Sequence, residues 1–417
     1  MKISMFHLMP YRGLPDDFES RYRSVWVDPP WSELADPELA GRYYNWTFDE
    51  LLHAADVGLD GICVNEHHQN AYGFMPSPNL MGSVLARATN GTDVAIVQMG
   101  STLPSTSPPT RIAEEYAMLD CISGGRLVAG MPIGSAMDVN LCYGITPVEQ
   151  RERYAEAHDL ILKAWRHDQE TFAWNGKYFQ LGMVNLWPRP IQQPAPPVWL
   201  PGAGSSSTWA RAAEHDHCYC FLSYYGNEFG KKMMDGFWEF VDRQGLDQNP
   251  YRAGFLQLVV VSETDASAER EYYPHIRYFF DKCQHIPTEY FWPPGHQDYA
   301  SLRRSTGIQK QLEGLANNRD WSFSEFVDRQ VVIGGSPASV RDQLAAAIKQ
   351  IQVGNLMVLL HIGSMPHELT IKNIELFGRE VLPHLRSIWT DEWENHWWPE
   401  RLRGPRAGTA TSGASLR

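Results

Sequence analysis

The chain has 417 residues, of which 43% are hydrophobic, so it can bury one large core or two smaller ones. Its formal net charge of −13 argues against nucleic acid or an anionic membrane as the main partner. No apolar run approaches the roughly 18 residues of a membrane span, and the N-terminus lacks a signal-peptide pattern. We therefore expect a cytoplasmic protein, with its 6 cysteines reduced because they lack paired spacing.

Strand-like and helix-like segments alternate along the chain, which predicts parallel strands joined by helices. The predicted strands are, in order, Ile3–Met9, Gly61–Asn65, Val94–Leu103, Arg126–Gly130, Val198–Leu200, Tyr219–Leu222, Leu256–Val261 and Leu356–Ile362. Helical spacing predicts helices at Phe48–Val57, Asn79–Ala88, Thr110–Ile122, Glu149–Trp165 and Ser205–Glu214. This set predicts an α/β fold, a (β/α)8 TIM barrel with long insertions at its C-terminal face.

Three segments interrupt the repeat: Tyr11–Tyr44, Phe172–Pro197 with a hairpin turn near Trp174, and the aromatic-rich Tyr272–Phe326. Long segments of this kind inside a compact domain are typically lids, and the aromatic content favours that interpretation. We predict a barrel domain over residues 1–390 with a lid-like insertion at about 270–326. Residues 391–417 form a C-terminal extension, and its Gly/Ser/Thr/Ala-rich end is expected to be disordered.

The segment Gly61–His68 is a short apolar strand that ends in three polar side chains, Glu66, His67 and His68. An α/β barrel places its chemistry at the C-terminal ends of its strands, so this is the first candidate site. Successive strand residues point to opposite faces, and these three side chains therefore cannot form a metal site by themselves. No metal is predicted.

Four segments, taken in order, resemble the bacterial luciferase-like flavin-dependent monooxygenase family, also called the luciferase-like monooxygenase superfamily. They are Glu66–His68; Val97–Pro104 with Pro108–Arg111 and Glu114–Asp120; Ser123–Gly130; and Val332–Arg341 with Asn373–Pro383. Their order and spacing cover most of residues 1–390. The family fold is a (β/α)8 barrel, which agrees with the alternation of elements. The resemblance implies that reduced FMN binds at the C-terminal mouth as a co-substrate and that a substrate is oxygenated with O2.

The resemblance also assigns residues at the mouth. His67 matches the family's catalytic histidine, which can act as an acid or a base; the alternative is a histidine that only packs under the flavin. Met99 and Gly100 fall where the family often has an unusual peptide bond beneath the flavin ring, although Gly100 could simply be a glycine in a buried strand. Thr102 lies on the same face as Gly100 and can line the site.

A phosphate site is predicted at Gly204, Ser205, Ser206 and Ser207, where glycine allows a turn and hydroxyls precede a helix N-terminus. The resemblance places a phosphate-binding stretch here, after strand five; the alternative is an ordinary helix cap. Tyr154 matches a family tyrosine that reaches the same phosphate, or it is a core residue. Pro132 stands near the place of the luciferase branch's reactive cysteine, so light emission from a long-chain aldehyde is not expected.

Three functions remain open at this point. The first is a two-component monooxygenase that receives reduced FMN from a separate NAD(P)H:flavin reductase, since the chain has no G-x-G-x-x-G strand–helix motif of its own. Its substrate would be a small organic molecule, apolar or aromatic, and the protein a homodimer or higher homo-oligomer. The second is a deazaflavin-dependent oxidoreductase that transfers hydride. The third is a non-enzymatic flavin-binding protein.

Overall fold

The computed structural model describes residues 1–167, 171–222, 224–296 and 318–404. Its strands within these ranges are β1 (Lys2–Phe6), β2 (Gly61–Val64), β3 (Ala95–Gln98), β4 (Leu127–Gly130), β5 (Phe172–Asn175), β6 (Gln180–Val184), β7 (Val198–Gly202), β8 (Cys218–Phe221), β9 (Ala253–Val261), β10 (Val332–Gly335) and β11 (Asn355–Leu359). Each of the eight predicted strands overlaps one of them.

Eight of these strands close a parallel barrel in the order β1, β2, β3, β4, β7, β8, β9 and β11, with β11 returning to β1. The predicted (β/α)8 barrel is confirmed. β10 lies outside the ring and pairs in parallel with β9, from Val332 opposite Leu258 to Gly335 opposite Val261. Every strand of the ring contributes fully buried residues, as expected for strands covered on both faces.

Nine helices of nine residues or more lie in the described ranges: α1 (Pro37–Asp56), α2 (Pro78–Ala88), α3 (Thr110–Ser123), α4 (Gln150–Arg166), α5 (Ser206–Glu214), α6 (Gly226–Arg243), α7 (Asp265–Tyr278), α8 (Pro337–Ile351) and α9 (His367–Leu376). Shorter α-helical turns are Phe18–Arg21, Trp31–Leu34, Thr288–Phe291, Phe323–Asp328 and Leu382–Leu385, and π-helical turns are Met137–Cys142, Phe279–Cys283 and Phe377–Val381. None of the described helices is long and apolar enough to cross a membrane.

Helix α1 begins earlier than predicted, inside the segment expected to be a loop. Asp36 caps it, because its side chain accepts hydrogen bonds from the backbone N–H groups of Glu38 and Leu39, and Pro37 occupies the first turn. A capping carboxylate followed by proline is a strong helix start. The missed signal is therefore the Asp36–Pro37 pair.

The C-terminal segment closes the N-terminal end of the barrel. Trp398 is fully buried and packs near Gly61, the first residue of β2, and its ring centroid lies 5.9 Å from that of Trp199 in β7. The backbone carbonyl of Trp397 accepts a 2.9 Å hydrogen bond from Trp199 Nε1. Residues 391–404 are therefore part of the packed structure. The segment expected to be disordered is Gly404–Arg417, and all of it except Gly404 lies outside the described ranges.

The described part of the 270–326 insertion packs over the loop that follows β1. His285 makes two contacts with that loop. Its backbone oxygen accepts from Val25 N at 2.9 Å, and its Nε2 lies 2.9 Å from the Tyr22 backbone oxygen. Farther along, His296 Nδ1 lies 3.1 Å from Gln150 Oε1 at the start of α4. The insertion therefore runs from the β1 loop toward α4; its residues 297–317 lie outside the described ranges.

The segment between β4 and β7 contains the hairpin expected near Trp174. Strands β5 and β6 pair antiparallel, with Asn175 opposite Gln180, and form their own two-stranded sheet. This hairpin packs on α4, where Glu156 accepts hydrogen bonds from Trp174 Nε1 and the backbone of Phe179.

Candidate active site

The candidate site centres on a buried carboxylate, Asp138, that the sequence analysis did not single out. Its side chain is only 2% exposed and accepts four hydrogen bonds. The donors are His67 Nδ1 at 3.0 Å, Ser135 Oγ at 2.9 Å, the backbone N–H of His68 at 2.8 Å and Trp26 Nε1 at 3.2 Å. The chain thus brings the loop after β2 and the loop after β4 together on one carboxylate.

The contact with Asp138 sets the tautomer of His67. A carboxylate only accepts hydrogen bonds, so His67 Nδ1 carries the proton and Nε2 carries the lone pair. The ring is 20% exposed, and Nε2 has no hydrogen-bond partner among the described residues. His67 therefore presents a proton acceptor at the C-terminal mouth of the barrel, the geometry that acid–base chemistry requires.

Asp138 owes its position to a local motif. Ser135 Oγ accepts from the Asp138 backbone N–H at 3.1 Å and donates to the Asp138 side chain at 2.9 Å. This Ser-x-x-Asp arrangement begins the π-helical turn Met137–Cys142. The pattern is a capping-box signature and could have been found in the sequence.

Aromatic side chains surround the His67 ring. Trp26 and Tyr72 stack on each other, with centroids 4.5 Å apart, and each meets His67 edge-on, at 4.8 and 5.1 Å. Tyr72 Oη donates to Tyr224 Oη at 2.8 Å, and Tyr224 packs edge-on against Phe279 of the insertion. Burial raises the pKa of Tyr72 well above its ordinary value, so this hydroxyl stays protonated. The site has apolar, aromatic walls.

Hydrogen bonds hold Glu66 and His68 at the end of β2. His68 Nε2 lies 3.0 Å from Glu66 Oε1, and the Thr102 backbone N–H donates to the same oxygen at 3.3 Å. The Tyr143 hydroxyl lies 3.3 Å from His68 Nδ1. Glu66 thereby ties the loop after β2 to the loop after β3, where Thr102 is 2% exposed.

Gly100 lies in a position that only glycine can occupy. A Cβ there would overlap the Gly130 carbonyl oxygen and lie 2.6 Å from Tyr116 Oη. Tyr116 Oη is fixed, since it accepts from Ser101 N at 2.8 Å and donates to the Gly130 oxygen at 2.7 Å. The Met99–Gly100 peptide bond is cis, as the resemblance led us to expect, and Met99 is buried.

The predicted phosphate turn lies beside a cation that the sequence analysis missed. Arg151 Nη1, from the first turn of α4, donates to Ser207 Oγ at 2.8 Å and to Ser205 Oγ at 3.3 Å, and the two hydroxyls are 2.8 Å apart. Neither serine side chain caps α5. Gly204 has φ +98°, a conformation that favours glycine, and the Ser206 hydroxyl has no protein partner in the described ranges.

Tyr154 lies in the same helix as Arg151 but points into the protein. Its hydroxyl donates to the Met131 carbonyl at 2.9 Å, and the side chain is buried. Gln150 Nε2 donates to the carbonyls of Ile133 and Gly134 at 3.0 and 3.2 Å. The start of α4 is thus fastened to the loop after β4. Tyr154 packs in the core, and a role for it at a phosphate remains a prediction.

A third set of polar groups lies buried at the ends of β1 and β11. Glu50 accepts from His7 Nε2 at 2.7 Å, from Arg12 Nη2 at 3.0 Å and from His367 Nδ1 at 3.0 Å. Met9 N donates to His7 Nδ1, so the His7 imidazole is neutral and both of its ring nitrogens are hydrogen-bonded. Burial lowers the pKa of His7, while Glu50, despite its burial, has its pKa well below the ordinary value because His367, His7 and Arg12 surround it.

Comparison with known proteins identifies the family. The family model described as luciferase-like monooxygenase matches residues 38–353, most of the chain and of the barrel. The chain belongs to the luciferase-like monooxygenase family. It is therefore an enzyme of the flavin-dependent monooxygenase and oxidoreductase class.

Individual relatives differ in the cofactor that their names state. The oxygenase component of flavin-dependent trigonelline monooxygenase from Acinetobacter baylyi is 28% identical over 196 residues, 46% of this chain and 53% of that protein. An F420-dependent glucose-6-phosphate dehydrogenase from Kineococcus radiotolerans is 23% identical over 345 residues, 81% of this chain and 92% of that protein.

A solved structure supports the fold. The oxygenating constituent of 3,6-diketocamphane monooxygenase from Pseudomonas putida, a type II Baeyer–Villiger monooxygenase in complex with FMN, superposes with a TM-score of 0.67. It is 19% identical and covers 92% of this chain and 98% of that chain. At this identity the similarity establishes the barrel architecture only.

Proposed function

We propose that this protein is the oxygenase component of a two-component, FMN-dependent monooxygenase that uses reduced FMN and O2 to oxygenate a small apolar or aromatic substrate. The observation that carries the proposal is the Asp138–His67 pair at the mouth of a barrel that also offers a phosphate cradle at Arg151, Ser205 and Ser207. A separate NAD(P)H:flavin reductase would supply the reduced cofactor.

The residues fit FMN at two points. Arg151 and the hydroxyls of Ser205 and Ser207 stand at the N-terminus of α5, where the first backbone N–H groups of a helix favour an anion, as a terminal phosphate requires. The backbone at Met99 and Gly100, held by the hydrogen bond from Ser101 N to Tyr116 Oη, lies where the family resemblance expects the flavin ring. Bound reduced FMN would supply the electrons for O2 activation.

His67 is the general acid and base in this proposal. Asp138 holds Nδ1 protonated, so Nε2 can accept a proton and return it at the reacting atoms. Trp26, Tyr72 and Tyr224 exclude water around the ring and provide apolar contact area for the substrate. In this proposal the described part of the insertion, which packs on the β1 loop through His285 and Val25, serves as a lid.

Hydride transfer with the deazaflavin coenzyme F420 is the second candidate, because a relative with that cofactor in its name matches 81% of the chain. Anaerobic titrations with reduced FMN, oxidised FMN and F420 distinguish the two. We expect reduced FMN to bind tightest, since a protein without its own nicotinamide site must capture reduced cofactor from solution. Tighter binding of F420, or equal binding of both FMN redox states, would contradict the two-component proposal.

We also propose that the protein forms a homodimer through α2 and α3. These two helices pack together, and each exposes two apolar side chains four residues apart, namely Leu80 and Val84 in α2 and Met118 and Ile122 in α3. Replacing Val84 and Met118 with lysine should convert a dimer to a monomer in light scattering. A wild-type protein that is already monomeric would contradict this interface.

A further inference from the structure

A cluster of polar side chains on the outer helices takes no part in the proposed reaction. His158 and Asp159 lie in α4, Arg211 in α5, His215 directly after α5, and His217 directly before the first residue of β8. The cluster is therefore near the N-terminal ends of the strands, whereas His67 follows the C-terminal end of β2.

Three of these side chains offer metal-ligating atoms to one point. One nitrogen or oxygen each from His158, Asp159 and His215 lies within 4.8 Å of the others. His158 Nδ1 and His215 Nε2 are 3.2 and 3.9 Å from Asp159 Oδ1. Bonds of about 2.1 Å to a tetrahedral metal ion separate its ligands by about 3.4 Å, so closure needs only small side-chain movements.

A cationic group already occupies the centre of this cluster. Arg211 Nη1 lies 2.8 Å from Asp159 Oδ1, 3.1 Å from His158 Nδ1 and 3.4 Å from His215 Nε2. Arg211 Nη1 thus stands where the Asp159 carboxylate and one nitrogen of each imidazole converge. A metal ion in place of the guanidinium would meet the same oxygen and nitrogen atoms.

His217 supplies an independent observation. His158 Nε2 and His217 Nε2 are 3.0 Å apart, and His217 is only 3% exposed. With His158 Nδ1 bound to a metal ion, its Nε2 would carry the proton and donate to His217. A metal-ligating histidine ordinarily donates its second ring N–H to such a partner, which fixes the ring orientation.

We propose that His158, Asp159 and His215 form a binding site for a divalent transition metal ion, such as Zn2+ or Ni2+, that competes with the Arg211 side chain. Two imidazoles and one carboxylate suit these ions better than Ca2+ or Mg2+, which prefer all-oxygen sites. Solvent reaches the site at the Asp159 side chain, which is 46% exposed, and the Arg211 side chain is 18% exposed.

The metal would join α4 to α5. The first turns of these same two helices carry Arg151 and the serine pair Ser205 and Ser207. A metal ion at the cluster therefore restrains both halves of the proposed phosphate cradle from the far side. The metal site itself depends only on the cluster's geometry and stands whether or not the flavin proposal holds.

Metal titration of the flavin-free protein tests the site. After chelator treatment, calorimetry with Zn2+ and absorption spectroscopy with Co2+ should both show one equivalent bound per chain. His215→Ala and Asp159→Asn should each weaken binding at least about tenfold, whereas Arg211→Gln should strengthen it by about tenfold because the competing cation is gone.

His53→Ala is the matched control, because His53 is a partly exposed histidine paired with Glu375 on other helices, and its loss should leave the titration unchanged. Circular dichroism verifies that each variant is folded. Absence of saturable binding in the wild type overturns the proposal. So does wild-type affinity in His215→Ala, or an Arg211→Gln variant that binds no tighter than the wild type.

Discussion

In the pair His67 and Asp138, the buried carboxylate fixes the tautomer of the histidine and so determines the chemistry that the histidine can perform. Histidine at a strand end is compatible with packing or catalysis, and the sequence alone left both open. Asp138 decides which nitrogen carries the proton, because its carboxylate can only accept. Trp26 and Ser135 hold that carboxylate in place from two other segments of the chain.

Replacing His67 with alanine should preserve reduced-FMN binding but lower oxygenation by roughly 10²–10⁴, the usual contribution of a general acid or base. Stopped-flow flavin spectra and steady-state product formation separate binding from turnover. His53→Ala, on a different face, serves as the control. Near-normal oxygenation by His67→Ala would reduce this histidine to a packing residue.

Asp138→Asn should lower turnover because it changes the tautomer of His67 while the His67 side chain stays in place. The asparagine amide can donate to Nδ1 and so move the imidazole proton to Nε2, the wrong nitrogen for accepting a proton. We expect a turnover loss approaching that of His67→Ala, an altered pH profile of turnover and little change in flavin affinity. An unchanged pH profile, or a loss explained entirely by weaker flavin binding, would show that Asp138 is only structural.

At the level of elements, the alternation of segments predicted the barrel because each strand is a short apolar run followed by helical spacing. What it missed depends on contacts distant in sequence. β10 has two glycines among its four residues, which weaken its strand pattern, and its pairing with β9 is what reveals it. Arg151 looked like an ordinary surface residue of α4 until folding brought it to Ser205 and Ser207. The serine turn was a local pattern, whereas the Met99–Gly100 position came from the family resemblance, and the role of each toward a flavin stays a prediction.

The serine turn yields a prediction that separates phosphate binding from helix capping. Replacing Ser205, Ser206 and Ser207 with alanine should weaken the binding of FMN far more than the binding of riboflavin, which lacks the phosphate. Hydrogen bonds to a charged group contribute about 1.5–3 kcal/mol each. Arg151→Met should act in the same direction, and part of the phosphate preference should survive because the backbone of α5 remains. Titrations of wild type and variants with FMN and with riboflavin measure the two affinities. Equal loss of affinity for both flavins would contradict the prediction.

The C-terminal segment contributes to the stability of the barrel, which no sequence pattern predicted. Trp398 is fully buried at the N-terminal end of the barrel and packs against Trp199. Trp398→Ala should lower the free energy of unfolding by about 3–5 kcal/mol, as large-to-small changes in cores do. Urea unfolding measures this, with exposed Trp31→Ala as the control. A loss below about 1 kcal/mol would mean that the segment is dispensable.

Considered as a whole, the molecule buries many histidines in neutral form. Burial lowers the pKa of His7, His217 and His361 below the ordinary value of 6.5, and their neighbours reinforce or only partly oppose the effect. In the unfolded chain the same imidazoles take up protons near pH 6.5. Below that pH the unfolded state therefore binds more protons than the folded state does.

The free energy of unfolding should consequently fall as the pH drops below about 6.5, by about 1.4 kcal/mol per pH unit for each such histidine. Glu50, whose pKa is depressed, adds to the loss once the pH falls below its ordinary value of 4.5, because the unfolded chain then protonates first. Urea unfolding at about pH 7.5, 6 and 5 measures the slope. His217→Asn removes one of these groups and should make the slope shallower. A stability that is constant or rises toward pH 5 would show that these imidazoles are protonated in the folded protein.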